Sequence, residues 1–247
     1  MKVYLTNLNE SWIVDRLRDE WYQHNTSISV DSIKQAEIIW IIAPWLWKKI
    51  KKKHLRDKKV VCSIYHLEDK DFEHKQIRDF KKRDSFVDVY HVISLKTKKE
   101  LEKLTDKEII YIPFWSDQLS WYEINDKDSL RKKYGLPLDA YILGSFQRDT
   151  EGSDLKSPKL IKGPDRLVKI IEAKNRDSDK LVVLLSGKRR QYIIKELENL
   201  NINYKYFEMV ETDELNELYN CLDLYVVSSR IEGGPQAIIE CGLSKTP

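Results

Sequence analysis

Short apolar runs alternate with charged segments of helical period along the whole chain. The apolar runs lie at 3–6, 37–43, 59–65, 87–94, 108–112, 140–144, 181–186, 204–208 and 222–227, each four to eight residues long and rich in Ile, Val and Tyr. Runs of that length and composition predict strands buried on both faces, as in parallel sheets. The segments between them read as helices. Thr97, with Glu100 three residues later, forms a capping-box pattern that would open a helix over 101–104. Gly135 and Pro137 stop a helix over 129–134. Pro164 suits the first turn of a helix over 165–173, where its missing N–H costs nothing. No repeat of solenoid period is present. Strands alternating with helices imply parallel sheets with helices on both faces.

A polar stretch at 117–128 separates five candidate strands from four. It predicts an N-terminal Rossmann-like domain over 1–117, a linker over 118–137 and a second Rossmann-like domain over 138–247. Two such halves would leave a cleft between them, and ligands of open α/β sheets bind at the carboxyl ends of the strands.

Composition narrows the class. The 247 residues suffice for two modest domains, and 41% hydrophobic residues suffice for their cores. With 34% charged residues the surface is well solvated, and 8 Gly and 7 Pro exclude fibrous and low-complexity classes. A net charge of +3 is too small to argue for nucleic acid. The three cysteines, Cys62, Cys221 and Cys241, form no CxxC pair, which gives neither a zinc site nor a disulfide framework and fits a reducing cytoplasm. The N-terminus runs straight into a strand, so no signal peptide is expected. The longest apolar run, 36–47, contains Glu37 and Pro44 and is too short to span a bilayer. A cytoplasmic protein is expected, with contact at the inner membrane face left open.

The strongest chemical signal is Ser229-Arg-Ile-Glu-Gly-Gly-Pro-Gln-Ala-Ile-Ile-Glu240, directly after a buried strand. Gly233 and Gly234 let the backbone turn and approach a ligand without Cβ clashes. Pro235 suits the first helical position, so that the N–H groups of Gln236 and Ala237 would open an anion site at a helix N-terminus. Glu240 would lie roughly 7–8 Å along that helix. A diphosphate at the helix start would then have a carboxylate on each side, Glu232 and Glu240, and each carboxylate would need sugar or ribose hydroxyls to bind.

This arrangement resembles the E-x7-E motif of the retaining glycosyltransferases of family 4. The resemblance extends through Leu215-Asn-Glu-Leu-Tyr-Asn-Cys-Leu-Asp-Leu-Tyr-Val-Val-Ser-Ser-Arg230, Leu143-Gly-Ser-Phe146 and Lys162-Gly163-Pro164-Asp165, and it is specific over about residues 138–247. It implies the GT-B fold, two Rossmann-like domains with parallel sheets facing across a cleft, and a metal-independent enzyme without a cofactor. Glu232 would contact the donor sugar and Glu240 the ribose. Arg148 and Lys162 would supply the fixed cations for the departing nucleoside diphosphate, although Ser145 stands where the family usually has its Arg. Gly144 would line the donor site. Gly187 and Arg189, in the basic turn Ser186-Gly-Lys-Arg-Arg190, would face the nucleotide or simply face solvent. His66, at the end of a first-domain strand, matches a family position facing the donor sugar; as a lone His it also fits a structural role. Phe114 and Trp115 replace the family's usual Asn-Gly ahead of the linker.

Two further features point elsewhere. Asp-x-Asp triplets occur at Asp69/Asp71, Asp126/Asp128 and Asp177/Asp179, but they sit in charge-rich loops of an Asp-rich chain, and no metal site is expected from them. The run 45–56, Trp45-Leu-Trp-Lys-Lys-Ile-Lys-Lys-Lys-His-Leu-Arg56, would as one helix put Leu46, Trp47, Ile50 and His54 on a single face. Such a helix would meet an anionic membrane or pack its Trp inward.

The sequence therefore predicts a transferase that moves a sugar from a UDP- or GDP-sugar to a glycan or lipid-linked acceptor. Family members continue past the position of Pro247 into further strand–helix units, so the second domain is expected to be incomplete. Two alternatives remain: a nucleotide-sugar-binding module with weak or no turnover, and a nucleic-acid binder built on the basic run.

Overall fold

The apolar runs become strands of parallel sheets, covered on both sides at the centre and partly exposed at the edges, and the way the chain alternates sides sets the topology. A computed structural model describes residues 1–9, 13–67, 74–177 and 180–247. The chain divides into two units, Met1–Ser116 with Glu232–Gly234, and Asp117–Ile231 with Pro235–Pro247.

The first unit contains β1 (Val3–Leu5), α1 (Ile13–His24), β2 (Ile38–Ile41), a 3-10 turn (Pro44–Lys49), α2 (Lys52–Asp57) and β3 (Lys59–Ile64). It continues with α3 (His74–Asp84), β4 (Val89–Val92), α4 (Leu95–Leu101) and β5 (Glu108–Tyr111). Its sheet is parallel, in the order β1-β2-β3-β4-β5. Right-handed crossovers through a strictly sequential order would put every helix on one face. The chain avoids this after α1. It first runs along the outer edge of β1, where Val3 N–H donates to Ile28 O at 2.8 Å and Val30 N–H donates to Val3 O at 3.0 Å. It then turns back to β2. The first crossover therefore goes the opposite way and sets α1 on the opposite face, where Trp21 meets Trp40 edge-on at 6.1 Å and Trp115 Nε1 donates to Leu17 O at 3.1 Å. On the other face Phe80 of α3 stacks on Tyr90 at 5.9 Å.

The α1 face carries a polar chain inside an apolar core. Trp40 Nε1 donates to Ser63 Oγ at 2.9 Å, Ser63 Oγ lies 2.9 Å from His91 Nδ1, and His91 Nε2 lies 2.7 Å from Ile112 O. A carbonyl only accepts, so Nε2 carries the hydrogen and Nδ1 is the acceptor. Ser63 must then donate to Nδ1 while it accepts from Trp40. Every proton is assigned and every hydrogen-bonding group in the chain is used. This makes the Ser–His pair a structural element of the sheet.

The second unit contains α5 (Lys127–Lys133), β6 (Tyr141–Ser145), the antiparallel hairpin β7 (Thr150–Glu151) and β8 (Ser157–Pro158), a 3-10 turn (Leu160–Lys162) and α6 (Pro164–Arg176). It continues with β9 (Leu181–Ser186), α7 (Gln191–Asn199), β10 (Asn203–Phe207), α8 (Thr212–Asn220), β11 (Leu224–Tyr225) and α9 (Gln236–Leu243). Its sheet is parallel, in the order β10-β9-β6-β11. The chain builds outward from β6 to β10, then returns to place β11 on the other side of β6. Alternating residues feed two cores. Ile142, Leu184, Leu218, Tyr219 and Trp121 form one, and Leu143, Val183, Leu185, Leu167 and Ile193 form the other. All six residues of β9 are buried, as a central strand requires.

Several local expectations are corrected. The stretch 118–137 clusters with the second unit rather than running as a separate connector: Trp121 is buried, and the N–H groups of Tyr122 and Ile124 donate to Asn216 and Asn220 of α8. Ser94, not Thr97, caps α4, accepting from Thr97 N–H at 3.1 Å, because the helix starts a turn earlier than the capping box implied. The run 45–56 is not one helix. Pro44 opens a 3-10 turn that ends at Lys49, Ile50 is extended, and α2 starts afresh at Lys52. Trp47 and Leu55 point inward while Trp45 stays exposed. Pro235 is the N-cap of α9 rather than its first residue, with ψ at 123°. Asp126 caps α5 through Ser129 N–H, which explains the Asp126/Asp128 pair without a ligand. Asp69, Asp71 and Asp179 lie outside the described residues. Among the described residues no three His, Cys, Asp or Glu side chains form a metal-binding group, and no helix is long and apolar enough to cross a membrane.

Burial holds the His91 imidazole below its ordinary value of 6.5, partly opposed by its bond to Ile112 O. A lowered pKa means the unfolded chain takes up this proton first, so the associated stability is present above about pH 6.5 and is lost as pH falls through the lowered value. Urea unfolding at pH 7.5 and at pH 5 should show a decline that is shallower in His91→Gln. Equal declines in the two proteins would show that this imidazole does not couple to folding.

Candidate functional site

In the second sheet the strand order reverses between β6 and β11, and the polar residues at the carboxyl ends of these two strands gather there. Gln147 follows β6. Its Nε2 donates to Lys162 O and to Ser228 Oγ, both at 3.0 Å, and its Oε1 accepts from Ser229 Oγ at 3.1 Å. Ser228 Oγ also donates to Lys162 O at 3.1 Å. Arg230 is held from three directions. Its N–H donates to Ile161 O at 2.8 Å, Nη1 donates to Leu160 O at 2.6 Å, and the guanidinium forms a two-pronged pair with Asp165 at 2.7 and 2.5 Å. That pair holds the Asp165 carboxyl below its ordinary range. The segment after β11 is thus laced to the Lys162-Gly163-Pro164-Asp165 turn.

Gly163 makes this approach possible. It adopts φ of 62°, and a Cβ there would lie 2.0 Å from the Ser228 carbonyl oxygen. Both the left-handed backbone and the contact demand Gly. Lys162 sits on the last residue of its 3-10 turn, half-buried, immediately before the N-terminus of α6.

The loop after β6 also carries Arg148. Its Nε donates to Thr150 O at 3.0 Å. Burial and then the neighbouring charge of Arg189 lower the Arg148 guanidinium from its ordinary value, while Glu151 opposes them. Arg189 itself adopts φ of 61°, and its Nη1 donates to Gly152 O at 3.1 Å on the β7–β8 hairpin. The structure therefore turns Arg189 toward Arg148, where the sequence left it between site and solvent. Gly187 adopts φ of 90° beside Phe146 O, at the carboxyl ends of β9 and β6. The position a Cβ would take at Gly144 is filled by Leu222, which gives that glycine a packing reason.

Beneath this loop lies a buried ion pair that the sequence reading missed. Arg190 is fully buried and Asp149 nearly so, and Arg190 Nε donates to Asp149 Oδ2 at 2.5 Å. Nη1 donates to Ser145 O at 2.6 Å and to Ser186 O at 3.1 Å, joining the ends of β6 and β9. α7 has no side-chain cap of its own. Thr150 Oγ1 accepts from Tyr192 N–H at 2.8 Å, and Asp149 Oδ1 accepts from Ile193 N–H at 3.4 Å.

On α9, Gln236 and Ala237 supply the first N–H groups, and the first turn carries no acidic residue. Glu240 is only 3% exposed, and its Oε2 accepts from the Tyr219 hydroxyl at 2.7 Å. Burial, with the neighbouring Glu240 adding to it, holds the Tyr219 hydroxyl far above its ordinary value, so it stays a donor to Glu240. Tyr219, Tyr225 and Phe146 pack edge to face or tilted at 5.0–5.3 Å beside it. Tyr219 was also missed; its only sequence signal was helical spacing toward the core.

Glu232, Gly233 and Gly234 cluster with the first unit. A Cβ on Gly233 would lie 1.8 Å from the Tyr65 carbonyl oxygen, and one on Gly234 would lie 3.6 Å from Ile93 Cδ1. Gly233 thus packs on the exit of β3, next in chain to half-buried His66. Pro235 follows and starts the return to the second unit's α9.

No protein-family model matches the chain, and no curated protein matches it in sequence. Solved structures do match its fold. HepE of Anabaena, in complex with UDP and glucose, is similar over 99% of this chain and 78% of its own, with a TM-score of 0.75 at 12% identity. Sucrose-phosphate synthase of Thermosynechococcus elongatus matches over 98% of this chain and 62% of its own, with a TM-score of 0.67 at 15% identity. A TarM variant of S. aureus, in complex with Fondaparinux, alpha-GlcNAc-glycerol and UDP, matches over 85% of this chain and 40% of its own, with a TM-score of 0.60 at 17% identity. The chain has the α/β GT-B fold of these proteins.

The glycines give a direct test of the local geometry. Gly163→Ala forces a Cβ into the Ser228 carbonyl and should destabilise the protein by roughly 1–3 kcal/mol. Gly242→Ala, on α9 with nothing within 4 Å of the new Cβ, should stabilise it by roughly 0.5–1 kcal/mol. Thermal melts of the two variants should move in opposite directions; a neutral Gly163→Ala would contradict the close approach.

Proposed function

We propose that this chain transfers a sugar from a UDP- or GDP-sugar to a glycan or lipid-linked acceptor, with retention of configuration and without a metal ion. One observation carries the reading. At the reversal of the second sheet, Lys162-Gly163, Gln147, Arg148 and Ser228–Arg230 gather at strand carboxyl ends, the position where open α/β sheets take nucleotides. Support comes from the fold's neighbours, which are described in complex with UDP or UDP-glucose.

In this reading Lys162 and Arg148 offset the charge that builds on the departing diphosphate, an ammonium and a fork-shaped guanidinium doing so without reorganisation. The N–H groups of Gln236 and Ala237 add the positive end of α9. Glu240, fixed by Tyr219, accepts from the ribose hydroxyls. Glu232 accepts from hydroxyls of the donor sugar, Gly233 and Gly234 allow the backbone close to it, and His66 contributes one further hydrogen bond. Gly187 leaves room for the nucleotide. As the bond from the anomeric carbon to the diphosphate breaks, the acceptor oxygen bonds to the same face of that carbon. The acceptor's proton passes to the departing diphosphate oxygen. The exposed Trp45 and the lysines around it offer a lipid-linked acceptor a contact on the first unit.

A thermal-shift screen with UDP, GDP and their sugars should show one nucleotide adding about 2.7 kcal/mol of stability at 100 times its Kd. Glu232→Ala should lower kcat roughly 100-fold or more with little change in nucleotide affinity. Lys162→Ala should weaken the nucleoside diphosphate more than the nucleoside, because only the former makes the charge-assisted bond. Activity should survive EDTA. Absence of any nucleotide shift, or unchanged turnover in Glu232→Ala, would remove the proposal.

A further inference from the structure

We propose that the buried Asp149–Arg190 pair is a positioning element that sets Arg148 and Arg189 side by side as a two-guanidinium clamp for the diphosphate. This rests on the reading of the second unit as a nucleotide-sugar site, and it adds to it residues that touch no ligand.

The pair holds several chain segments at once. Arg190 spends its hydrogen bonds on the ends of two strands and on Asp149, so it fixes where the chain leaves β6 and β9. Asp149 and Thr150 in turn take the N-terminus of α7, and their own N–H groups donate to Arg189 O at 3.2 and 3.1 Å. Three segments therefore share one anchor: the loop carrying Arg148, the turn carrying Arg189 and the first turn of α7. Arg148 lies directly before Asp149 and Arg189 directly before Arg190, so the two exposed-side cations flank the two members of the ion pair. Fixing Asp149 against Arg190 fixes the cations against each other.

The way the two guanidinium groups are tethered points to an anion. Arg148 rests on the Thr150 carbonyl and Arg189 on the Gly152 carbonyl, and neither forms a salt bridge among the described residues. Carbonyl tethers orient a guanidinium without neutralising it. Two like charges held together this way cost energy unless a dianionic group meets them. The strained backbone at Arg189, with φ of 61° on a branched-chain-free but bulky residue, is consistent with a side chain directed by this turn. An ion pair as deeply buried as Asp149–Arg190 is also a poor source of stability compared with an apolar pair of similar volume, so its geometry is the better reason for it.

That comparison supplies the test. The double variant Asp149→Leu/Arg190→Met removes the pair without leaving one buried charge alone. It should fold cooperatively and bind uridine with a Kd within about two-fold of the unmodified chain. Its affinity for UDP should fall about 10-fold or more, because only the diphosphate reads the two guanidinium groups. If that variant fails to fold, Arg190→Lys, which keeps the charge but loses the fork to two strand ends, should show the same split. Arg148→Ala should cost UDP affinity in the unmodified chain and little in either altered background. Unchanged UDP affinity, or equal losses for UDP and uridine, would overturn the positioning role. Failure of the unmodified chain to prefer UDP over uridine would instead overturn the reading of the site, which keeps the two failures apart. If GDP proves the preferred nucleotide, the same arms run with GDP and guanosine.

Discussion

The second unit depends on one topological constraint. A parallel sheet built outward from β6 can only reach β11 by doubling back, and where it doubles back the flanking connections leave toward opposite faces. The carboxyl ends of β6 and β11 are then covered by neither layer of helices. Backbone groups and polar side chains at those ends must find partners in loops, and the loops they find are the ones that carry the cations. Gln147, Ser228 and Ser229 satisfy one another and the Lys162 carbonyl, and Arg230 binds Asp165 and two carbonyls. Gly163 is required because two segments of backbone meet at that point with no space for a side chain. The first unit obeys the same constraint with a smaller device: one extended segment, Ile28 to Val30, laid outside β1 changes the direction of the first crossover and moves α1 to the opposite face.

What the sequence made legible follows from which interactions are periodic. The nine apolar runs all contain strands: the central ones are buried on both faces and leave a continuous apolar signature, while the edge strands β5 and β10 keep that pattern though partly exposed. Pro164 and Gly135 were readable because their backbones permit few alternatives, the one as the first residue of α6 and the other at φ of 61° after α5. Thr97 misled because a capping box is a local pattern, while helix starts are also set by what precedes them; Ser94 caps the helix one turn earlier by accepting from the Thr97 N–H, and Thr97 turned inward to donate to Tyr65 O. The run 45–56 misled for a similar reason. Its helical spacing was real, but Pro44 and the buried Trp47 committed the chain to a tighter turn.

The layout of the candidate site was legible in part. Lys162, Arg148 and the α9 N-terminus stand at strand or helix ends, where sequence order and spatial order coincide. The hairpin between β6 and α6 did not show, because β7 and β8 are two residues each and carry no apolar period. Asp149 with Arg190 did not show either. The two residues are 41 apart in sequence, and each sits in a stretch where charge is common, so nothing local distinguishes a buried pair from two solvated groups. Glu240 was expected beside a ribose; in the structure its Oε2 accepts from the Tyr219 hydroxyl, a partner invisible without the packing of α8 on α9.

Two buried polar networks, one in each unit, differ in how completely they are satisfied. In the first unit, Trp40, Ser63, His91 and Ile112 form a chain in which each donor has one acceptor, and nothing remains to bind. That is how a polar group persists in a core: it is satisfied, and it fixes the register of three strands and the exit of a fourth. In the second unit, Arg190 uses Nε and Nη1 but its buried Nη2 has no hydrogen-bond partner among the described residues, and neither has the buried Oγ of Ser145 at the end of β6. An unsatisfied guanidinium nitrogen in a core is expensive. It persists at the carboxyl ends of strands, beneath Arg148 and Arg189, where an added anion above the loop would be stabilised by every cation the pair holds in place.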